Sequence, residues 1–428
     1  MTVSPAAAAG GAPSAFQQAR SSWLVRSFNR VARGAARVGL RPGSLDAERI
    51  LADARRNTKL VDLGTGEVED KLRILVRSLV QEAGLHPFGR ATVRDLLVRV
   101  LSNRLRIVDL LQRRPEIGRV PIERPVFIIG FPRTGTSVLY SLLARDPEAR
   151  PLLFWESLLP IPPSRVRAGR EDPRIRWARL QAWVTRHLIP GFDAVHHTRA
   201  EEPEECMSLQ LRTLVSWYFL LWGDLPEYRE WLLTREKPTF VEAYRFYRQQ
   251  LQLLQWQRPA GSWLLKSPAH LLAMDALVEI FPDASIVQTH RDPRRALPSA
   301  CSLIAVMRGL MCERVEPREL GHITLQRAEV LFERMLAARE HIPPERVIDV
   351  QYRDVVENPI AVVRSIYAHF GRSLSHEAEA RMTRWLAEHP RHGHGVHRYT
   401  LGEFGLEREQ VERACGDYID RFEIPEEA

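Results

Sequence analysis

The chain has 428 residues, 45% of them hydrophobic and 27% charged, which suits a soluble globular protein with a full core and room for more than one domain. Its net charge is +8, and of 61 basic residues only Lys59, Lys71, Lys237 and Lys266 are lysine. So uniform an arginine bias reflects genome composition. It gives no reason to expect nucleic acid as a partner, and an anionic ligand or membrane surface fits equally well. Cys206, Cys301, Cys312 and Cys415 form no C-x-x-C pair, which argues against a zinc ribbon or disulfide framework and for a reducing, cytoplasmic setting. The longest apolar run, Leu214 to Trp222, is broken by Ser216 and too short to span a bilayer.

From the N-terminus, residues 1–15 are Ala-rich, lack a signal-peptide pattern and are expected to be a disordered tail. Residues 16–42 carry Arg20, Arg26, Arg30, Arg33, Arg37 and Arg41 and no acid. Leu24, Phe28, Val31, Ala35 and Val38 recur at helical spacing, so a basic amphipathic helix is expected. Peripheral contact with an anionic membrane, or packing on the body or on a second copy of the chain, would each use it. Apolar stripes predict helices at about 46–57, 69–83 and 89–113. Residues 16–118 thus read as a helical region preceding the main domain, 119–428.

That domain opens on Pro125-Val126-Phe127-Ile128-Ile129, a buried parallel strand by pattern. Gly130-Phe131-Pro132-Arg133-Thr134-Gly135-Thr136-Ser137 then makes a glycine turn into a helix carrying Val138, Leu139, Leu142 and Leu143. Strand, glycine turn and helix N-terminus together gather backbone N–H groups around a phosphate. Against the Walker A pattern, Gly130, Gly135 and Ser137 match while Thr136 replaces the lysine. Ordinary ATP or GTP hydrolysis therefore loses its main cationic contact, and the nearby charge is Arg133 instead.

Residues from about 155 to 257 read as a mostly helical cap inserted between the first strand and the next. Ser262-Trp263-Leu264-Leu265-Lys266 is the next strand, followed by a Ser267-Pro268 helix start. Ser285 to Thr289 is another, ending in His290-Arg291-Asp292-Pro293, with Ser299 about two turns into the following helix. Val347 to Tyr352 is the last. Alternating strands and helices give an α/β fold: a P-loop-type parallel sheet flanked by helices, with a helical N-terminal region and a helical cap. Lys266 and Arg291 fall at carboxyl ends of strands, where such sheets bind ligands.

Pro132-Arg133-Thr134-Gly135-Thr136-Ser137, together with Arg291 and Ser299 eight residues on, resembles the PAPS-dependent sulfotransferase family. Trp155-Glu156 and Tyr399-Thr400-Leu401-Gly402-Glu403-Phe404-Gly405-Leu406 look most like its large bacterial subfamily, and the likeness runs from about residue 45 to the C-terminus. The resemblance implies sulfuryl transfer from PAPS (3′-phosphoadenosine 5′-phosphosulfate) to a hydroxyl or amine, without a metal. It implies a 5′-phosphosulfate loop at Arg133, Thr134, Gly135, Thr136 and Ser137, and a 3′-phosphate site at Arg291 and Ser299. Lys266 looks like the family's lysine beside the sulfuryl group, and Arg398 like a basic residue of a late loop closing over the nucleotide.

For the general base, Glu156 matches one pattern found among relatives, with His196 and His197 as rivals. The histidines at 392, 394 and 397 have alternate spacing in a Gly-rich segment, which does not make a metal site. Two other readings stay open. One is a P-loop kinase or NTPase in which Asp292 or Asp349 organises Mg²⁺. The other is an inactive membrane-associated scaffold. Trp177, Trp183, Trp217 and Phe219 in the cap suggest an apolar or lipid-like acceptor.

Overall fold

The apolar run after Pro125 becomes the central strand of a five-stranded parallel sheet in the computed structural model, which describes residues 23–37, 43–163, 170–188, 199–389 and 399–427. The strands are β1 (Val126–Gly130), β2 (Ala149–Pro151), β3 (Ser262–Lys266), β4 (Ser285–His290) and β5 (Val347–Gln351), in the order β2-β3-β1-β4-β5. Register places Ile128 opposite Lys266 and Gly130 opposite Thr289. The loops after β1, β3 and β4 therefore emerge side by side at one edge. β2 has no sequence signature: it is three residues long, with Arg150 at its centre and Pro151 at its end, on the sheet margin where a missing N–H is tolerated.

Both faces of β1 are covered, as its unbroken apolar run requires. Phe127 and Ile129 point into a core shared with Leu72, Leu75, Leu97 and Leu101 of the N-terminal helices and with Val411 and Tyr418 near the end of the chain. Val126 and Ile128 point the other way, onto Leu139, Leu142, Val363 and Ile366. The period-two alternation of the strand thus divides the apolar interior into two layers.

The N-terminal helices are α1 (Trp23–Arg37), α2 (Ala47–Thr58), α3 (Val68–Gln81) and α4 (Pro87–Arg113). α1 packs on the body through Val25, Asn29 and Ala32. Asn29 Oδ1 accepts from the Phe88 amide at 2.8 Å, the Phe28 and Phe88 rings meet edge to face, and Arg33 pairs with Glu313. Trp23, Leu24, Phe28 and Val31 remain exposed on this helix. In the cap, Trp217 and Phe219 are core residues, whereas Trp177, Leu180 and Trp183 lie exposed along one helix, Pro173–Leu188. Among the described residues no helix is long and apolar enough to cross a membrane.

Candidate active site

The turn after β1 is built for close backbone approach. A side chain on Gly130 would meet Thr289 Oγ1 at 2.2 Å and Thr134 Oγ1 at 2.7 Å. Thr134 is buried, donates to the Phe131 carbonyl at 2.7 Å and lies 2.6 Å from the Thr289 hydroxyl. Gly135 takes a positive φ of 88° at the N-terminus of the helix Thr136–Leu143. The Leu139 amide reaches back to the Gly135 carbonyl at 3.2 Å. The helical amides before it have no intrahelical partner, which is what an anion at this position uses.

Arg133 has a φ of 72°, uncommon outside glycine. It is held from two sides: its carbonyl accepts from Arg291 Nη1 at 2.9 Å and its Nε donates to Ser299 Oγ at 3.1 Å. Arg133, Arg291 and Ser299, far apart in sequence, thus form one cluster beside the loop. The Arg291 guanidinium also stacks over the Tyr352 ring at 3.9 Å.

On the other side of β1, Lys266 ends β3 with its side chain buried. Its Nζ donates to Ser137 Oγ at 3.0 Å and pairs with Glu205. Glu205 is kept there because the next amide, Cys206 N, donates to the Lys266 carbonyl at 2.9 Å. Burial pushes the Cys206 thiol up to about 12, so it carries no thiolate at neutral pH. Glu205 was not singled out from the sequence; it is the last of five residues, Glu201-Glu202-Pro203-Glu204-Glu205, and pattern alone does not say which acid faces a lysine.

Glu156 lies in a different setting. Both carboxylate oxygens meet Arg150 at 2.9 Å in a pair that is 0% and 1% exposed. Glu156 Oε2 also accepts from the Leu153 amide at 3.1 Å, closing the first turn of the short helix Phe154–Leu158. Arg150 stacks on Trp263 at 4.0 Å and reaches the Pro151 carbonyl at 3.0 Å. None of these partners belongs to the phosphate loop. His196, His197 and Arg398 lie outside the described residues, as do the histidines at 392, 394 and 397.

The two acids that a magnesium-dependent reading requires are committed elsewhere. Asp292 caps the helix Pro293–Gly309, accepting from the Arg294 amide at 2.9 Å and Arg294 Nε at 2.8 Å. Asp349 takes two hydrogen bonds from Arg339, at 2.6 and 2.9 Å, and faces His290 Nε2 at 2.9 Å. Burial would raise the Asp349 carboxyl, but the hydrogen bonds from Arg339 and His290 outweigh it and hold it well below the usual range. Burial likewise lowers His290, favouring neutral imidazole.

A glycine turn opening a helix N-terminus, Lys266 at the neighbouring strand end and the cluster of Arg133, Arg291 and Ser299 thus come together at one edge of the sheet. The model of the sulfotransferase family matches residues 125–376, and the chain belongs to that family. It is similar to sulfotransferase STF9 from Mycobacterium avium, with 31% identity, a TM-score of 0.79, and coverage of 89% of this chain and 98% of that one. It is also similar to sulfotransferase STF1 from Mycobacterium tuberculosis H37Rv, with 30% identity, a TM-score of 0.76, and coverage of 88% and 99%. The omega-hydroxy-beta-dihydromenaquinone-9 sulfotransferase Stf3 of Mycobacterium tuberculosis (strain CDC 1551 / Oshkosh) is 25% identical over 310 residues, 70% of this chain and 74% of its own. The chain is therefore a sulfotransferase, and the P-loop-like parallel architecture expected from its motifs is the one it adopts.

Proposed function

We propose that the chain moves a sulfuryl group from PAPS to a hydroxyl on an apolar, lipid-like acceptor, and that Glu205 is its general base. The observation that carries this reading is Lys266 Nζ, which touches Ser137 of the phosphate loop and Glu205 at once. PAPS supplies the activated sulfuryl group, with PAP (its desulfated form) as the leaving product. The amides of Gly135, Thr136 and Ser137, with Thr134 shaping the turn, hold the 5′-phosphosulfate, and Arg133, Arg291 and Ser299 hold the 3′-phosphate. Lys266 stabilises charge on the oxygen released as the old bond to sulfur breaks. Glu205 takes the acceptor proton, being partly exposed at 22% where Glu156 is sealed at 1%. Glu156 then serves as a structural clamp through Arg150.

For the acceptor, the support is the substrate for which Stf3 is named, a menaquinone derivative, and the exposed Trp177, Leu180 and Trp183 of the cap. α1 adds a route to such molecules. Its buried residues face the body, Arg26, Arg30 and Arg37 lie on another arc, and Leu24, Phe28 and Val31 form a third, exposed arc. That arrangement suits peripheral binding to anionic lipid. Sedimentation with phosphatidylglycerol vesicles, reduced several-fold by Val31→Glu, checks it.

Calorimetric titration of the protein with PAP beside ADP tests the donor. Tight, metal-independent PAP binding, much stronger than ADP, is expected. Preference for ATP–Mg²⁺ with PAP ignored would overturn the assignment.

A further inference from the structure

The Arg291 guanidinium has two edges, and both are engaged. Nη1 donates to the Arg133 carbonyl at 2.9 Å, an intrinsic part of the phosphate-loop cluster. The Nε/Nη2 edge, the fork that takes an oxyanion side-on, is filled by the carboxylate of Glu427. Nε lies 2.9 and 3.1 Å from its two oxygens, and Nη2 lies 2.9 Å from Oε2.

This contact is prepared from several directions. Phe422 and Ile424, just after the last helix (Arg408–Arg421), are buried; the Phe422 ring stacks on His290 at 4.0 Å and its carbonyl accepts from Gln351 Nε2 at 2.9 Å. From that root, Glu426 pairs with Arg408 at 2.7 and 2.8 Å. The Glu427 amide donates to Asp292 Oδ2 at 3.1 Å, and its carbonyl accepts from Arg295 Nε at 3.1 Å. The backbone is therefore fastened beside Arg291 independently of the carboxylate.

We infer that Glu427 is an intramolecular competitor of the nucleotide's 3′-phosphate, a tethered carboxylate that caps Arg291 in the empty enzyme and is displaced when the donor binds. The inference rests on the assignment of Arg291 and Ser299 to that phosphate. A phosphate dianion offers more charge and more acceptor oxygens than one carboxylate, so it wins the edge. The tether keeps the carboxylate at a high local concentration, so the apparent donor affinity falls in proportion to the fraction of molecules left uncapped. The Arg291–Glu427 pair, 18% and 27% exposed, is accessible enough to exchange and to be only modestly strong. The cost falls only on nucleotides that carry a 3′-phosphate: one without it leaves Glu427 in place and is bound equally well with or without the carboxylate.

The test is titration of PAP and of ADP, which lacks the 3′-phosphate, into the full chain and into Glu427→Ala and Glu427→Gln. Both variants are expected to bind PAP about three- to tenfold tighter, in line with release of one partly exposed ion pair, with ADP unchanged. PAP preferred over ADP, but with equal or weaker affinity in the variants, would overturn the competitor while leaving the 3′-phosphate site intact. PAP no tighter than ADP in any form of the protein would overturn the site assignment and the competitor with it.

Discussion

Two glutamates flank the same stretch of sheet, each joined to a cation, and their surroundings differ. Glu156 with Arg150 is sealed, bidentate and tied to a backbone amide, a carbonyl and an indole. Glu205 with Lys266 is open on the glutamate side and touches the phosphate loop through Ser137. A carboxylate with both oxygens locked cannot receive a substrate proton without dismantling its surroundings. One resting against a lysine at a strand end can exchange partners as substrates arrive. Exposure and the identity of the second neighbour, more than residue type, separate structural from chemical acids.

The largest expected effect breaks the closed pair. Glu156→Gln leaves Arg150 buried without its counter-charge, so a loss of about 3–5 kcal/mol in denaturant-derived stability is expected. Replacing both partners with apolar residues of similar volume should recover most of it. A catalytic role without structural weight would instead show normal stability and low turnover. At the open pair, Lys266→Ala should lower kcat about 10²–10³-fold while PAP affinity, read by calorimetry, stays within a few-fold. Equal losses in both would assign Lys266 to binding. Glu205→Gln should lower turnover about 10²-fold, with a stability loss smaller than that of Glu156→Gln because Glu205 is partly exposed. Full activity in that variant would move the base elsewhere, with His196 and His197 next in line.

What the sequence made legible follows from local chemistry. The apolar runs at Val126 to Ile129 and Ser285 to Thr289 became strands buried on both faces, as parallel strands inside a sheet are, while Val347 to Gln351 forms the edge strand with Asp349 exposed. Ser267 and Asp292 capped the turns that follow their strands, each beside a proline, although the first of these turns begins as a 3₁₀ segment, Pro268–Ala273. The spacing of Arg291 and Ser299 was readable because both belong to one strand–helix unit. Long-range pairing was not readable. The contact of Glu205 with Lys266 spans 61 positions and that of Glu427 with Arg291 spans 136, and no local pattern encodes either. β2 escaped because a three-residue edge strand has no periodicity to detect. Trp217 and Trp183 read alike in sequence, yet one is core and the other faces solvent.

The scarcity of lysine has a practical side. Only four side-chain amines exist in the chain. Lys59 and Lys237 are exposed, while Lys71 and Lys266 are buried and paired with Glu242 and Glu205. An acylating reagent therefore meets two open amines, while Lys266 lies buried beside Ser137 and Glu205. Mass-resolved labelling of Lys266 against Lys59 and Lys237 as internal standards makes the native enzyme its own occupancy gauge, with no engineered probe.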